Sequence, residues 1–121
     1  MGNTDAIGFI GGGNMASAIV GGLLRRGTPA SNIEIVEPFA DQRDKLQAQF
    51  GVQAHASAGA FLERAGLVVW AVKPQTFHDA AAQAAPFTRG ALHLSVAAGI
   101  RSDSIATWLG TQRIVRAMPN T

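Results

Sequence analysis

Apolar residues along this chain come in short runs, separated by stretches of helical period. Asp5–Ile10 (DAIGFI), Asn32–Glu37 (NIEIVE), Val52–His55 (VQAH), Gly66–Val72 (GLVVWAV), Ala91–Val96 (ALHLSV) and Arg113–Met118 (RIVRAM) have strand length, and GLVVWAV reads as a central strand. Over Asn14–Arg26 the period switches: Met15, Ile19 and Leu23 recur every four residues, as do Ala16, Val20 and Leu24. That spacing predicts a helix with one buried face, and Gly27 and Pro29 mark its end. Asp41–Phe50 predicts a polar-faced helix closed by Gly51. Ser57 reads as the N-cap of a third, short helix over AGAFLERA, KPQ opens an alanine-rich helix to about Ala85, and Ser102 caps a short helix DSIATWL.

Strands alternating with helices at this spacing predict an α/β fold, a doubly wound, mostly parallel sheet with helices on both faces. No internal repeat, low-complexity tract or linker divides the chain, so residues 1–121 read as one domain. The last strand reaches the C-terminus within three residues, and a compact domain rarely ends so close to a strand unless the chain continues.

Composition narrows the function. With 47% hydrophobic residues the chain can build a core, yet no apolar run approaches the ~18 residues of a membrane span, so no membrane partner is expected. The first residues lack the basic and apolar regions of a signal peptide. The absence of cysteine excludes disulfides, a catalytic thiol and thiolate metal sites, and fits a cytoplasmic protein. A net charge of +2 without a basic block, with no Tyr and only two Trp, predicts no nucleic-acid partner. His55, His78 and His93 are scattered and lack the spacing of a helical metal pair, so no metal site is expected. Trp70 and Trp108 read as packing residues.

The candidate chemistry lies in FIGGGNMASAI, residues Phe9–Ile19. Gly11, Gly13 and Ala16 fit G-x-G-x-x-A between a strand and a helix, the context in which that pattern cradles a dinucleotide pyrophosphate. Gly11 permits the turn, Gly13 lets a phosphate approach the backbone, and Ala16 keeps helix and strand close. The helix N-terminus near Asn14 and Met15 then faces the anion, and Gly12 is a small residue beside it. Glu37 ends the second strand about 20 residues further on, where an acid binds ribose hydroxyls; its other reading is a solvated strand-end charge.

Four segments together resemble one family, the pyrroline-5-carboxylate reductases: FIGGGNMASAI, AVKPQ (Ala71–Gln75), SVAAGI (Ser95–Ile100) and RAMPNT (Arg116–Thr121). Each stands at a strand C-terminus, the edge where an open parallel sheet binds its ligands. The resemblance implies a Rossmann-like domain over residues 1–121 that binds NADPH or NADH. It also implies a C-terminal helical domain, absent from this chain, that forms a homodimer or higher homo-oligomer and binds the substrate. The implied reaction is reduction of 1-pyrroline-5-carboxylate to L-proline, the last step of proline biosynthesis. Catalytic groups are then expected beyond residue 121, and this chain alone is expected to be inactive.

By the same resemblance, Val72, Lys73 and Pro74 run along the nicotinamide ribose and phosphates, with Lys73 a general acid or, the preferred reading, a cation near the cofactor or in solvent. Ala97, Ala98 and Gly99 suit close approach to the nicotinamide, and Asn120 holds that region or a turn. Glu37 and Pro38 depart from the pattern of NADPH-preferring members and lean toward NADH or loose discrimination, an effect Arg43 could offset. Two alternatives remain: another Rossmann oxidoreductase such as a β-hydroxyacid dehydrogenase, and a non-catalytic nucleotide-binding module. VKPQ and MPNT point away from the first.

Overall fold

The structure is a computed structural model and describes residues 6–96 and 114–116. Six strands form one parallel sheet: β1 (Ala6–Ile10), β2 (Ile33–Val36), β3 (Gln53–His55), β4 (Ala65–Trp70), β5 (Leu92–Ser95) and β6 (Ile114–Arg116). Their spatial order is β3-β2-β1-β4-β5-β6, so the winding direction reverses between β1 and β4. All six strands fall within a few residues of the apolar runs that predict them, and the predicted α/β class holds.

Among the described residues three α-helices connect them: α1 (Asn14–Arg25), α2 (Ala40–Phe50) and α3 (Pro74–Ala84). Because successive strand residues face opposite ways, each strand feeds two cores. Phe9, Ile35 and Val69 join Ala16 and Val20 of α1 and Leu46 of α2 on one face. Ile10, Val36, Val68 and Trp70 join Phe77, Ala81 and Ala84 of α3 on the other. Helices therefore cover both faces, as predicted.

The buried stripe of α1 is narrower than its sequence pattern. Ala16, Val20 and Gly21 are buried, Ile19, Leu23 and Leu24 are half-buried, and Met15 is exposed. Met15 sits in the first turn, where the sheet beneath has already ended. Helix ends follow local chemistry. Thr28 N–H returns to Leu23 C=O at 3.1 Å as Gly27 takes a φ of +99°, and Gly51 closes α2 at φ +69°. Pro74 starts α3 at a position where its missing N–H costs nothing.

The third predicted helix is corrected. Ala60–Arg64 forms a 3-10 turn that follows Gly59, and no side chain caps it, so Ser57 does not act as an N-cap. Five residues are too few for a stable α-helical segment, and the turn is held by Leu62, which is fully buried against the sheet. Two further 3-10 turns, Ala30–Asn32 and Ala85–Phe87, lie in stretches read from sequence as loop or helix end. The predicted helix after Ser102 lies outside the described residues. No helix among the described residues is long and apolar enough to cross a membrane.

Candidate functional site

The turns after β1, β2 and β4 meet at one edge of the sheet, at the point where the strand order reverses. In an open parallel sheet this crevice outside the strand C-termini is where ligands sit. Backbone hydrogen bonds lock its floor: Gly11 N–H to Val36 C=O at 2.8 Å, and Ala71 N–H to Ile10 C=O at 2.9 Å.

Each glycine of the turn has a different reason for being glycine. Gly11 takes a φ of +98°, and a Cβ there would lie 2.6 Å from the Ala71 carbonyl oxygen and 3.1 Å from a Val72 methyl. Conformation and close approach both demand the missing side chain. A Cβ on Gly12 would stand 2.7 Å from a Leu46 methyl and 3.1 Å from Glu37 Cβ, so Gly12 is squeezed between α2 and the end of β2. Gly13 is the opposite case: it is exposed, and nothing lies within 4 Å of where its Cβ would be. That open face is the place where a ligand backbone or phosphate can approach.

Gly13 precedes α1, and its carbonyl accepts the first helical bond, from Ser17 N–H at 2.9 Å. No side chain caps this helix end, and its first turn holds no acid. The early N–H groups and the positive end of the helix dipole are thus uncompensated by protein, which suits an anion. Asn14 and Met15 are exposed at this end.

Glu37 is not a solvated charge, and that reading is corrected. Only 7% of its surface is exposed. Its Oε1 accepts Gly12 N–H at 2.9 Å, and its Oε2 accepts Phe39 N–H at 3.0 Å. Burial of a carboxylate requires such partners, and here the backbone supplies them. Arg43, one turn into α2, donates from Nη1 to the carbonyls of Glu37 and Pro38 at 2.9 and 2.8 Å. Its guanidinium is thus anchored beside the end of β2. Gln42 Nε2 donates to Gly12 C=O.

On the β4 side, Val72 is half-buried against the glycine turn, and Lys73 is exposed immediately before α3. The Lys73 carbonyl accepts both Thr76 N–H and Thr76 Oγ1 at 3.0 Å, fixing the entry into α3 that Pro74 begins. Gly11–Met15, Glu37, Pro38, Val72, Lys73 and Pro74 are therefore neighbours along one sheet edge. Ala97, Ala98, Gly99 and Asn120 lie outside the described residues.

Sequence reasoning missed two residues of this edge. Gln42 carries no local signal, since a polar residue on a polar-faced helix looks like solvent surface. Phe39, 73% exposed, is an aromatic directly after the Glu-Pro that ends β2, and that placement was the available sign. Among the described residues, no group of three or more His, Asp or Glu is arranged to hold a metal. His55 and His93 have other partners: His55 Nε2 meets Glu34 Oε1 at 2.7 Å, and His93 Nδ1 accepts Trp70 Nε1–H at 2.9 Å.

A parallel sheet in this order, with a glycine turn and an uncapped helix at its reversal point, defines a Rossmann-type domain. The chain belongs to the family described as NADP oxidoreductase, coenzyme F420-dependent, whose model matches residues 6–99. It is 40% identical over 121 residues to the pyrroline-5-carboxylate reductase of Pseudomonas aeruginosa, covering 98% of this chain and 44% of that protein. With the Escherichia coli pyrroline-5-carboxylate reductase it shares 39% identity over 118 residues, 95% of this chain and 44% of the relative. The solved structure of a Coxiella burnetii pyrroline-5-carboxylate reductase superposes with a TM-score of 0.89 at 37% identity, covering 98% of this chain and 45% of that one. The resemblance read from the four motifs therefore stands, and the chain spans a little under half the length of these relatives.

Proposed function

We propose that this chain is the dinucleotide-binding domain of a pyrroline-5-carboxylate reductase, which reduces 1-pyrroline-5-carboxylate to L-proline with NADPH or NADH. The observation that carries the reading is the 40% identity across 98% of the chain to a protein of that name. The geometry supports it independently: an open Gly13 face and an uncapped α1 N-terminus fit a pyrophosphate.

In this reading Gly11, Gly12, Gly13, Asn14 and Met15 cradle the pyrophosphate, and Glu37 and Pro38 border the adenosine half. Val72, Lys73 and Pro74 border the nicotinamide half, joined by Ala97, Ala98, Gly99 and Asn120. The reduced nicotinamide supplies the hydride for the C=N carbon. The chain's task is to hold the donor face toward the crevice and exclude water from it. The imine nitrogen takes its proton from solvent or from a group across the cleft, and the substrate carboxylate needs donors as well. Both are proposed to lie beyond residue 121, in a helical domain that also forms the homo-oligomer. The relatives' greater length supports that division. Lack of cysteine supports a cytoplasmic place of work.

The test is consumption of reduced nicotinamide by the intact protein with 1-pyrroline-5-carboxylate, run beside oxidation of 3-hydroxy acids. Turnover of the cyclic imine alone is expected. Turnover of the hydroxy acids instead assigns a β-hydroxyacid dehydrogenase, and cofactor binding without turnover of either assigns a non-catalytic module.

A further inference from the structure

At the end of β2, an acid ordinarily announces a ribose ligand and a preference for NADH. Glu37 has that position but a different set of partners. Its backbone N–H donates to His55 C=O at 2.8 Å and its carbonyl accepts Arg43 Nη1 at 2.9 Å, while its two carboxylate oxygens accept Gly12 and Phe39 N–H. Every polar atom of the residue is thus engaged by protein, and only 7% of its surface reaches solvent. Gly12 is the reciprocal element: its N–H is held by Glu37, its C=O by Gln42, and a Cβ added to it would lie 2.7 Å from a Leu46 methyl and 3.1 Å from Glu37 Cβ. A Cβ there would have to displace the Leu46 methyl, and the turn is held by these two hydrogen bonds and by the packing beneath.

We propose that Glu37 is a positioning residue. Its carboxylate braces the glycine turn, setting the path of Gly12–Gly13 into α1, and does not read the ribose. Selection between NADH and NADPH therefore does not pass through Glu37. The inference rests on the dinucleotide reading given above. Two backbone N–H groups would lose their acceptor on removal of the carboxylate, and one of them belongs to the turn that must present its own free N–H groups to the pyrophosphate. Loss of the brace then weakens any dinucleotide, whatever its 2′ substituent.

Binding of NADH and of NADPH to the intact protein is titrated by nicotinamide fluorescence for the wild type, Glu37→Ala, Glu37→Gln and Gln42→Ala, well below each variant's melting temperature. Glu37→Ala is expected to weaken both cofactors by a common factor of about ten. Glu37→Gln keeps one acceptor oxygen and is expected to recover part of that loss for both. Gln42→Ala, which removes the second support of Gly12 and adds or removes no charge, is expected to weaken both cofactors by a smaller common factor. Amide hydrogen exchange at Gly12 should speed up in Glu37→Ala. A fall in NADH affinity with NADPH unchanged or improved, in either Glu37 variant, overturns the proposal and makes Glu37 a ribose ligand. Unchanged affinity for both cofactors in Gln42→Ala and in Glu37→Gln also overturns it, and covers the case in which Glu37→Ala does not fold. Wild-type protein that binds neither cofactor overturns the dinucleotide reading itself.

Discussion

At the scale of single residues, three consecutive glycines separate stability from binding. Gly11→Ala would place a methyl 2.6 Å from the Ala71 carbonyl oxygen at a φ of +98°. It is expected to cost about 2 kcal/mol or more in chemical denaturation. Gly13→Ala meets nothing within 4 Å and has an ordinary backbone at φ −79°, so its cost is expected to stay below about 1 kcal/mol. On the proposed reading its damage appears in dinucleotide affinity instead, because the added methyl occupies the open face assigned to the phosphate. Equal loss of stability in the two variants would show that the turn is a folding element only. The pattern G-x-G-x-x-A marks both positions alike in sequence. Their difference comes from the end of β4, which packs on Gly11 and leaves Gly13 open.

Among the elements, β3 depends most on side chains. It has three residues and lies at the edge of the sheet, where among the described residues it pairs with β2 alone. Glu34 of β2, 6% exposed, accepts from Arg64 Nη2 at 2.7 Å and meets His55 Nε2 of β3 at 2.7 Å. Arg64 also donates to Ser31 C=O, and His55 stacks on Phe61 with ring centroids 3.6 Å apart. One buried carboxylate thus ties β2 to β3 and to the 3-10 turn before β4. Glu34→Ala is expected to destabilise the fold by roughly 1–3 kcal/mol, with β3 amides losing exchange protection first. A double-mutant cycle on Glu34 and Arg64 should return a coupling of about 1 kcal/mol, moderated by the exposure of the arginine. A coupling near zero would mean that the backbone ladder alone holds β3. The strand itself was readable from VQAH, whereas His55 looked like an isolated histidine. Glu34 and His55 are 21 residues apart in sequence and meet only because β2 and β3 pair in register.

On the scale of the whole molecule, the sheet separates two cores, and the face carrying α3 is organised by Trp70. That side chain is fully buried, stacks on Phe77 at 4.7 Å between ring centroids, and donates to His93 Nδ1 at 2.9 Å. Because an indole N–H only donates, the imidazole must present an unprotonated Nδ1. Trp70→Phe removes that donor and part of the stacked area, and is expected to cost roughly 2–4 kcal/mol by thermal or denaturant unfolding. On the proposed reading a bound dinucleotide joins the turns of three strands, so it should stabilise the domain as a unit. At one hundred times the dissociation constant the gain is about 2.7 kcal/mol, seen as a rise in melting temperature of several degrees. Residues 1–121 expressed alone are expected to show that rise with NADPH or NADH and no turnover of 1-pyrroline-5-carboxylate. Turnover matching that of a full-length relative would place the proton donor and the carboxylate site within this chain.

The strands, the three α-helices and the glycine turn were determined by the sequence alone, because strand-length apolar runs, a four-residue period and G-x-G-x-x-A are local signals. The class followed from their alternation. Even the correct part of α1 overstated its buried stripe, since a period shows which residues share a side and not where the sheet beneath them stops. Met15 is exposed for that reason. Ser57 carried the composition of a cap, but the chain turns at Gly59 because Leu62 must reach the core. What only the tertiary structure decided is the state of Glu37. From sequence it could be a ribose ligand or a solvated charge, and the structure rules out the second. The fold turns it inward, because Gly12 and Phe39 bring two backbone N–H groups to one place, and a carboxylate there is less costly buried and bonded than those donors would be without an acceptor.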